Sequence, residues 1–377
     1  MKLYYRDSYP ITKWWYQLDH NILFVTLIIM LVGIMMAYSA STAVAEHIGL
    51  EFSYFYKRHI YFTCIALIIM LFFSTLSIEQ IKKISILGVL VTILLVYLVL
   101  FAEPQLKGAK RWLKIFTFSI QPSEFVKPFF IVINSWFLSR KFVRQNYRGY
   151  ACSFILLVII LMGLVAQPDF GMALNFSAVW LVQLYLSMVS YWVISLVFLL
   201  GIVGIILAYY SFIHVQYRID NFLFSSNEPS YQIQKSLDAI HAGNFFGRGL
   251  FEGKIKTSLP DAHTDFIFAV MIEELGMIFT FIILAFYMVI IGRIMFNLKN
   301  ITDVFTKLIL LGIACQITFQ VFVNVGVNLN LLPTKGTTLP LISYGGSSMI
   351  ATAILLGILL AINKKPFGQL KSKYNNE

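Results

Sequence analysis

The sequence predicts an all-α integral membrane protein of about ten transmembrane helices, with one long extracytoplasmic loop between helices seven and eight. Three observations predict it. Hydrophobic residues make up 59% of the 377-residue chain and charged residues only 12%. Nearly uncharged runs recur along the whole length, each close to the ~20 residues a helix needs to cross a bilayer. Lipid cannot satisfy backbone polar groups, so each run must close its own hydrogen bonds, which favours helices over any open sheet.

Taken in order, the expected spans are 21–41, 59–77, 84–102, 122–139, 151–167, 169–189, 191–213, 264–292, 302–328 and 345–363. They form a single polytopic domain over residues 1–377, with tails 1–20 and 364–377 and the long loop at about 214–263. The first run is too long for a signal peptide and lacks a small-residue cleavage site, so it is expected to stay. Cys64, Cys152 and Cys315 all fall inside spans and read as buried thiols rather than a disulfide or metal set. The short loop 140–148 holds Arg140, Lys141, Arg144 and Arg148, whereas five outer basic residues are diluted in the long loop. That asymmetry places both termini in the cytoplasm. The net charge of +11 suits basic cytoplasmic loops, and no nucleic-acid motif accompanies it.

The outer loop 103–120 breaks the charge rule with Lys107, Lys110, Arg111 and Lys114. These read either as a solvated loop over lipid headgroups or as an anion site on the outer face. Three helix mouths lie on the same side: QPSEFVK at 121–127, QPDFG at 167–171 and HTDFIF at 263–268. They put Glu124, Asp169 and Asp265 in first turns, where a carboxylate gains up to ~1 kcal/mol from the helix dipole. Pro122 and Pro168 suit the first helical position, and Thr264 an N-cap. Helix chemistry explains any one carboxylate; three at one depth beside a basic loop make a mixed-charge cluster. Lys127 lies three residues after Glu124, on the same face, so the two are expected to pair. A lysine this deep either pairs, lines a wet cavity or snorkels to the interface.

Glu273 and Glu274 are deeper and point away from Asp265. They are expected to pair with other helices or to tether the cytoplasmic half of the bundle. The stretch LLPTKGTTLPLISYGGSSM at 331–349 is again on the outer side. Turn chemistry accounts for its prolines and glycines, and backbone amides exposed through Gly345 and Gly346 can also cradle phosphate.

Arg111-Trp112, QPSE, QPD, HTDFIFA, EELG and LPxxGxxLPLISYGGSS, in that order from about 20 to 363, resemble the SEDS family of shape, elongation, division and sporulation proteins. Thr334-Lys335-Gly336 is more similar to the division branch than to the elongation branch. This chain departs from the family pattern at Asp261, where glutamate is usual, and at Gly243-Asn244, where two glycines are usual.

The resemblance implies a peptidoglycan glycosyltransferase acting on lipid II at the outer face of the bacterial cytoplasmic membrane, at the septum. It implies a class B penicillin-binding transpeptidase and other division proteins as partners. It carries the essential carboxylate onto Asp265, and Arg111, Glu124 and Lys127 into a polar cavity. Asp169, Lys335, Ser343, Gly345 and Gly346 complete the expected substrate contacts. One sugar hydroxyl attacks the anomeric carbon of another lipid-linked sugar, so a single carboxylate base suffices. The pyrophosphate leaves as a stable anion, without the acid that glycoside hydrolases need. It does need positive charge, from Lys127 and Arg111 or from a divalent cation such as Mg or Mn, and no other cofactor is expected. A single displacement inverts the anomeric centre. The competing reading is a lipid II flippase, which needs a polar path through both leaflets; Glu273 and Glu274 are its best support.

Overall fold

The computed structural model describes residues 10–49, 51–101, 111–115, 118–139, 148–187, 191–223, 230–333 and 336–364. It is helical almost throughout. The helices are α1 Pro10–Gln17, α2 His20–Ile48, α3 Tyr54–Thr75, α4 Ile78–Val99, α5 Pro122–Leu138, α6 Arg148–Ala166 and α7 Phe170–Leu186. They continue with α8 Tyr191–Ser211, α9 Ile213–Leu223, α10 Tyr231–Gly243, α11 Ile267–Leu298, α12 Val304–Asn328 and α13 Gly346–Ile362. Every expected span falls on one of them. Six, namely α2, α3, α4, α6, α11 and α12, are long and apolar enough to cross a membrane by length and composition. The apolar helices α7 and α13 and the stretch Leu199–Ser211 of α8 are shorter.

Local chemistry sets several ends. Helix α4 starts earlier than expected because Ser77 and Gln80 form a reciprocal capping box, each side chain bonding the other's backbone amide. Pro122 occupies the first turn of α5, as expected. Pro168 does not do so for α7: Asp169 is the N-cap, accepting from Met172 N–H at 3.2 Å, so the proline sits before the helix. Part of the basic loop 103–120 forms an antiparallel pair, β1 Leu113–Ile115 with β2 Phe118–Ile120, Lys114 opposite Ser119.

Helix α5 is the centre of the bundle, buried along nearly its whole length and packed on by α4, α6, α7, α12 and α13. One buried amide ties four of these helices. Gln183 of α7 donates to Ser135 Oγ (2.8 Å) and to the carbonyls of Ile131 (3.2 Å) and Leu308 (3.0 Å), and accepts from Asn134 (2.7 Å). Ser153 of α6 joins through Asn134 Oδ1 (2.5 Å). Helix association in lipid lacks the hydrophobic drive of water, and satisfied polar side chains of this kind supply part of it.

The long segment between α8 and α11 does not stay outside the bundle. Helix α11 is broken at Gly276, whose φ of +83° leaves the helical region. Residues 244–249 fill the break. Arg248 and Gly249 N–H donate to the carbonyls of Glu273 (2.9 Å) and Glu274 (3.1 Å), and Met277 and Ile278 N–H donate to those of Asn244 (3.0 Å) and Phe245 (3.3 Å). Irregular backbone at such a place is stable only when protein satisfies it. Two glycines allow the approach. A Cβ on Gly247, at φ +77°, would lie 2.1 Å from Glu274 O, and one on Gly276 would lie 2.4 Å from Gly247 N. Asn244, where the family's second glycine is usual, takes φ +50° and ψ −148°, outside the left-handed helical well and in a region that glycine enters far more readily than any side chain, so this position is strained.

Glu273 and Glu274 hold this loop, and Glu274 also bonds another helix, α2, as one of the two expected arrangements had it. Glu273 accepts from Ile255 and Lys256 N–H at 2.7 and 3.0 Å. Glu274 forms an ion pair with Lys256, and Ser39 of α2 bonds both partners.

Candidate active site

Asp265 is half-buried in a run of turns, residues 261–266, just before α11. It is therefore not in the helix's first turn, and Thr264 is not its N-cap. Phe266 is, with no side-chain bond, while Thr264 Oγ1 donates back to Asp261 O at 3.1 Å. The turn closes on Asp261, whose carbonyl also accepts from Thr264 N–H (3.1 Å) and Asp265 N–H (3.1 Å). Asp261 has φ +55°, a conformation that a short aspartate side chain tolerates.

The 331–349 segment packs onto this turn. Ser343 Oγ donates to Thr264 O at 2.6 Å and accepts from Leu339 N–H at 2.8 Å, and Tyr344 N–H donates to His263 O at 2.8 Å. Ser343 thus ties two loops together. Gly336 faces the carboxylate: a Cβ there would be 2.9 Å from Asp265 Oδ2. Gly346 serves packing, since a Cβ there would be 2.6 Å from the Phe62 ring on α3. Gly345 is the N-cap of α13 and, having no side chain, makes no side-chain cap bond. Thr334 and Lys335, with Lys107 and Lys110, lie outside the described residues.

The other two mouths meet the same helix start. Gln121, the N-cap of α5, donates its N–H to Ser347 Oγ at 3.0 Å and its side-chain amide to Asp169 Oδ2 at 3.5 Å. Arg111 donates to the carbonyls of Gln167 (3.3 Å) and Pro168 and lies 3.8 Å from Asp169. One turn inward, Lys127 and Glu124 form a 2.6 Å ion pair that is almost fully buried, as their spacing predicted. Pro128 follows at once; having no N–H, it cannot bond Glu124 O as an ordinary helical residue would. The α13 start, residues 343–348, thereby joins the Asp265 turn on one side to Gln121, Asp169 and Arg111 on the other.

His263 is buried between Phe55 and Tyr344, with ring centroids at 4.8 and 5.3 Å, and its Nδ1 lacks a hydrogen bond. Burial lowers its pKa to about 4, against a smaller raising effect of Asp261. It is neutral at pH 7 and shapes the loop.

Sequence reasoning missed a stripe on α12. Gln316, Gln320, Asn324 and Asn328 recur every four residues, all buried, on one helix face. Gln320 donates to Thr338 O at 3.1 Å; Asn324 and Asn328 both donate to Asp265 O, at 2.9 and 3.0 Å. The signal was legible as QxxxQxxxNxxxN, since amides at helical spacing in an apolar run mark a buried polar face. Lys256 was also missed, because only the fold carries the loop inward.

Among the described residues no three His, Cys, Asp or Glu side chains cluster as a resident metal site would need. A magnesium-type cation needs fewer, since it is held by one or two carboxylates with substrate phosphates.

An apolar helical bundle in which Asp265, Asp169 and the buried Glu124–Lys127 pair lie against packed loops defines a membrane-embedded protein with a carboxylate-bearing site, and the comparisons give its family. The family model described as Cell cycle protein, for FtsW, RodA and SpoVE, matches residues 19–366, and the chain belongs to this family. It is 33% identical over 370 residues to a Caulobacter vibrioides protein named Probable peptidoglycan glycosyltransferase FtsW, covering 95% of this chain and 92% of that one. It is 35% identical over 344 residues to a Trichlorobacter lovleyi protein of the same name, covering 88% and 89%. A chain from a solved peptidoglycan synthase complex, described as coordinating polymerization and crosslinking, shares the fold with TM-score 0.75 and 24% identity, over 92% of this chain and 97% of that one.

Proposed function

We propose that this chain is a peptidoglycan glycosyltransferase that polymerises lipid II at the outer face of the bacterial cytoplasmic membrane, at the septum, with both termini cytoplasmic. The carrying observation is Asp265: a half-buried carboxylate with its backbone carbonyl doubly bonded, set against Gly336 in a turn onto which the 331–349 segment packs. It takes the proton of the attacking sugar hydroxyl. The new glycosidic C–O bond forms as the bond from the anomeric carbon to the pyrophosphate oxygen breaks. The electron pair leaves with undecaprenyl pyrophosphate, and the configuration inverts.

Lys127 and the N-terminus of α13, whose N-cap glycine has no side chain, favour that anion. Arg111 is largely committed to the turn before α7 and acts there by ordering the mouth. A divalent cation, held by one or two carboxylates such as Asp265 together with the substrate's phosphate oxygens, would add positive charge to the leaving anion. A class B transpeptidase is the proposed partner, a reading supported by the structural likeness to a synthase complex. The flippase reading loses its main support, because Glu273 and Glu274 hold the outer loop.

The test is polymerisation of purified lipid II by the full chain with its transpeptidase, wild type against Asp265→Asn, with and without a chelator. Polymer from the wild type alone is the expected result. Polymer from both proteins removes Asp265 as base, and transbilayer movement of lipid II without polymer restores the transporter.

A further inference from the structure

The carbonyl of Asp265 is held from the neighbouring helix. An ordinary helical carbonyl bonds the amide four residues on, here Ala269 N–H. Ala269 N–H instead donates to Phe266 O at 3.1 Å and Asn328 Oδ1 at 3.2 Å. Asp265 O accepts the side-chain amides of Asn324 (2.9 Å) and Asn328 (3.0 Å). Asn328 thus caps a helix start that lacks its own side-chain cap, and with its other atom grips the residue before that start.

Asn324 works on both sides of the carboxylate. Its Nδ2 also donates to Thr337 O at 2.6 Å, one residue from the Gly336 that faces Asp265 Oδ2. Asn328 is itself fixed: its Nδ2 donates to Asn324 O (2.8 Å), and its carbonyl accepts from Ser236 Oγ of α10 (2.9 Å). Both side chains are essentially fully buried, which shields their amides from water and strengthens these bonds.

We propose that Asn324 and Asn328 are positioning residues, which set the Asp265 carboxylate against the loop at Gly336 and so fix the direction of proton abstraction. This rests on the reading of Asp265 as base. A misplacement of ~1 Å costs on the order of 100-fold in rate.

The full chain with its transpeptidase, in lipid nanodiscs, would be assayed on lipid II as wild type, Asn324→Ala, Asn328→Ala, Asn328→Asp and Asp265→Asn. Asn328→Asp is the informative change: it keeps an acceptor for Ala269 N–H but loses the donor to Asp265 O. The expected result, per folded enzyme, is a kcat about 10- to 100-fold lower with an unchanged KM, at an assay temperature below the lowered melting point that a carboxylate buried at 328 brings. Asn324→Ala should show the same split. Full kcat in Asn328→Asp beside a crippled Asn328→Ala would reduce the residue to a helix cap and overturn the proposal. So would losses of kcat that merely track loss of folded protein. Polymer from Asp265→Asn shows failure of the base reading itself; an inactive Asp265→Asn beside fully active asparagine variants sinks the positioning role alone.

Discussion

Lys256, carried inward by the long loop, forms a buried ion pair with Glu274 of α11, and Ser39 of α2 bonds both. The two residues are 18 apart in sequence, yet their pairing fixes the loop to the helix whose start carries Asp265.

Removing one partner leaves a buried charge uncompensated, which typically costs about 3–5 kcal/mol. Lys256→Met is therefore expected to lower the melting temperature sharply in a thermal unfolding assay. Lys256→Met with Glu274→Leu should recover most of that loss. A single variant that melts like wild type would sink the clasp.

Gly276 lies where a side chain meets backbone on the facing loop, in a conformation that costs non-glycine residues about 1–3 kcal/mol before any clash. Gly276→Ala is expected to destabilise the protein by more than about 3 kcal/mol and to open residues 244–249 to proteolysis. Wild-type protease resistance would mean the break is not required.

The Glu124–Lys127 pair separates stability from chemistry. Lys127→Met should destabilise by about 3–5 kcal/mol through the orphaned Glu124. Adding Glu124→Leu should restore the melting temperature while polymerisation stays below about 1% of wild type, because a lost charge contact to the leaving anion is worth on the order of 100-fold or more. Normal polymer from the double variant would make Lys127 a purely structural cation.

His263 supplies a pH dependence. Its folded pKa, about 4, is below the unfolded value of 6.5, so the folded state binds the proton less readily. Its neutral form therefore supports the fold fully above pH 6.5, and that support fades as pH falls from 6.5 towards 4. His263→Gln should flatten the melting-temperature curve across this window. An unchanged acid slope would assign the effect to other groups.

The spans were legible because apolar runs of bilayer length leave a chain few alternatives. The Glu124–Lys127 pair was legible because three residues is one helix face, a local geometry. Less local features were not. Asp169 became an N-cap and Asp265 stayed outside its helix through turn geometry that a carboxylate near a proline or threonine does not specify. Ser343 and Gly346 turned out to join a loop and to fit a phenylalanine, because the partners, Thr264 and Phe62, are remote in sequence.

By itself, then, the sequence determined the membrane-spanning class, the family and the Glu124–Lys127 pair. Tertiary structure decided that the long loop enters a broken helix, that Glu273 and Glu274 hold it, and that α12 rather than its own helix grips Asp265. The division has one physical cause. Hydropathy and helical period act between near neighbours, whereas a buried carbonyl or charge takes whichever distant donor the fold brings within about 3 Å.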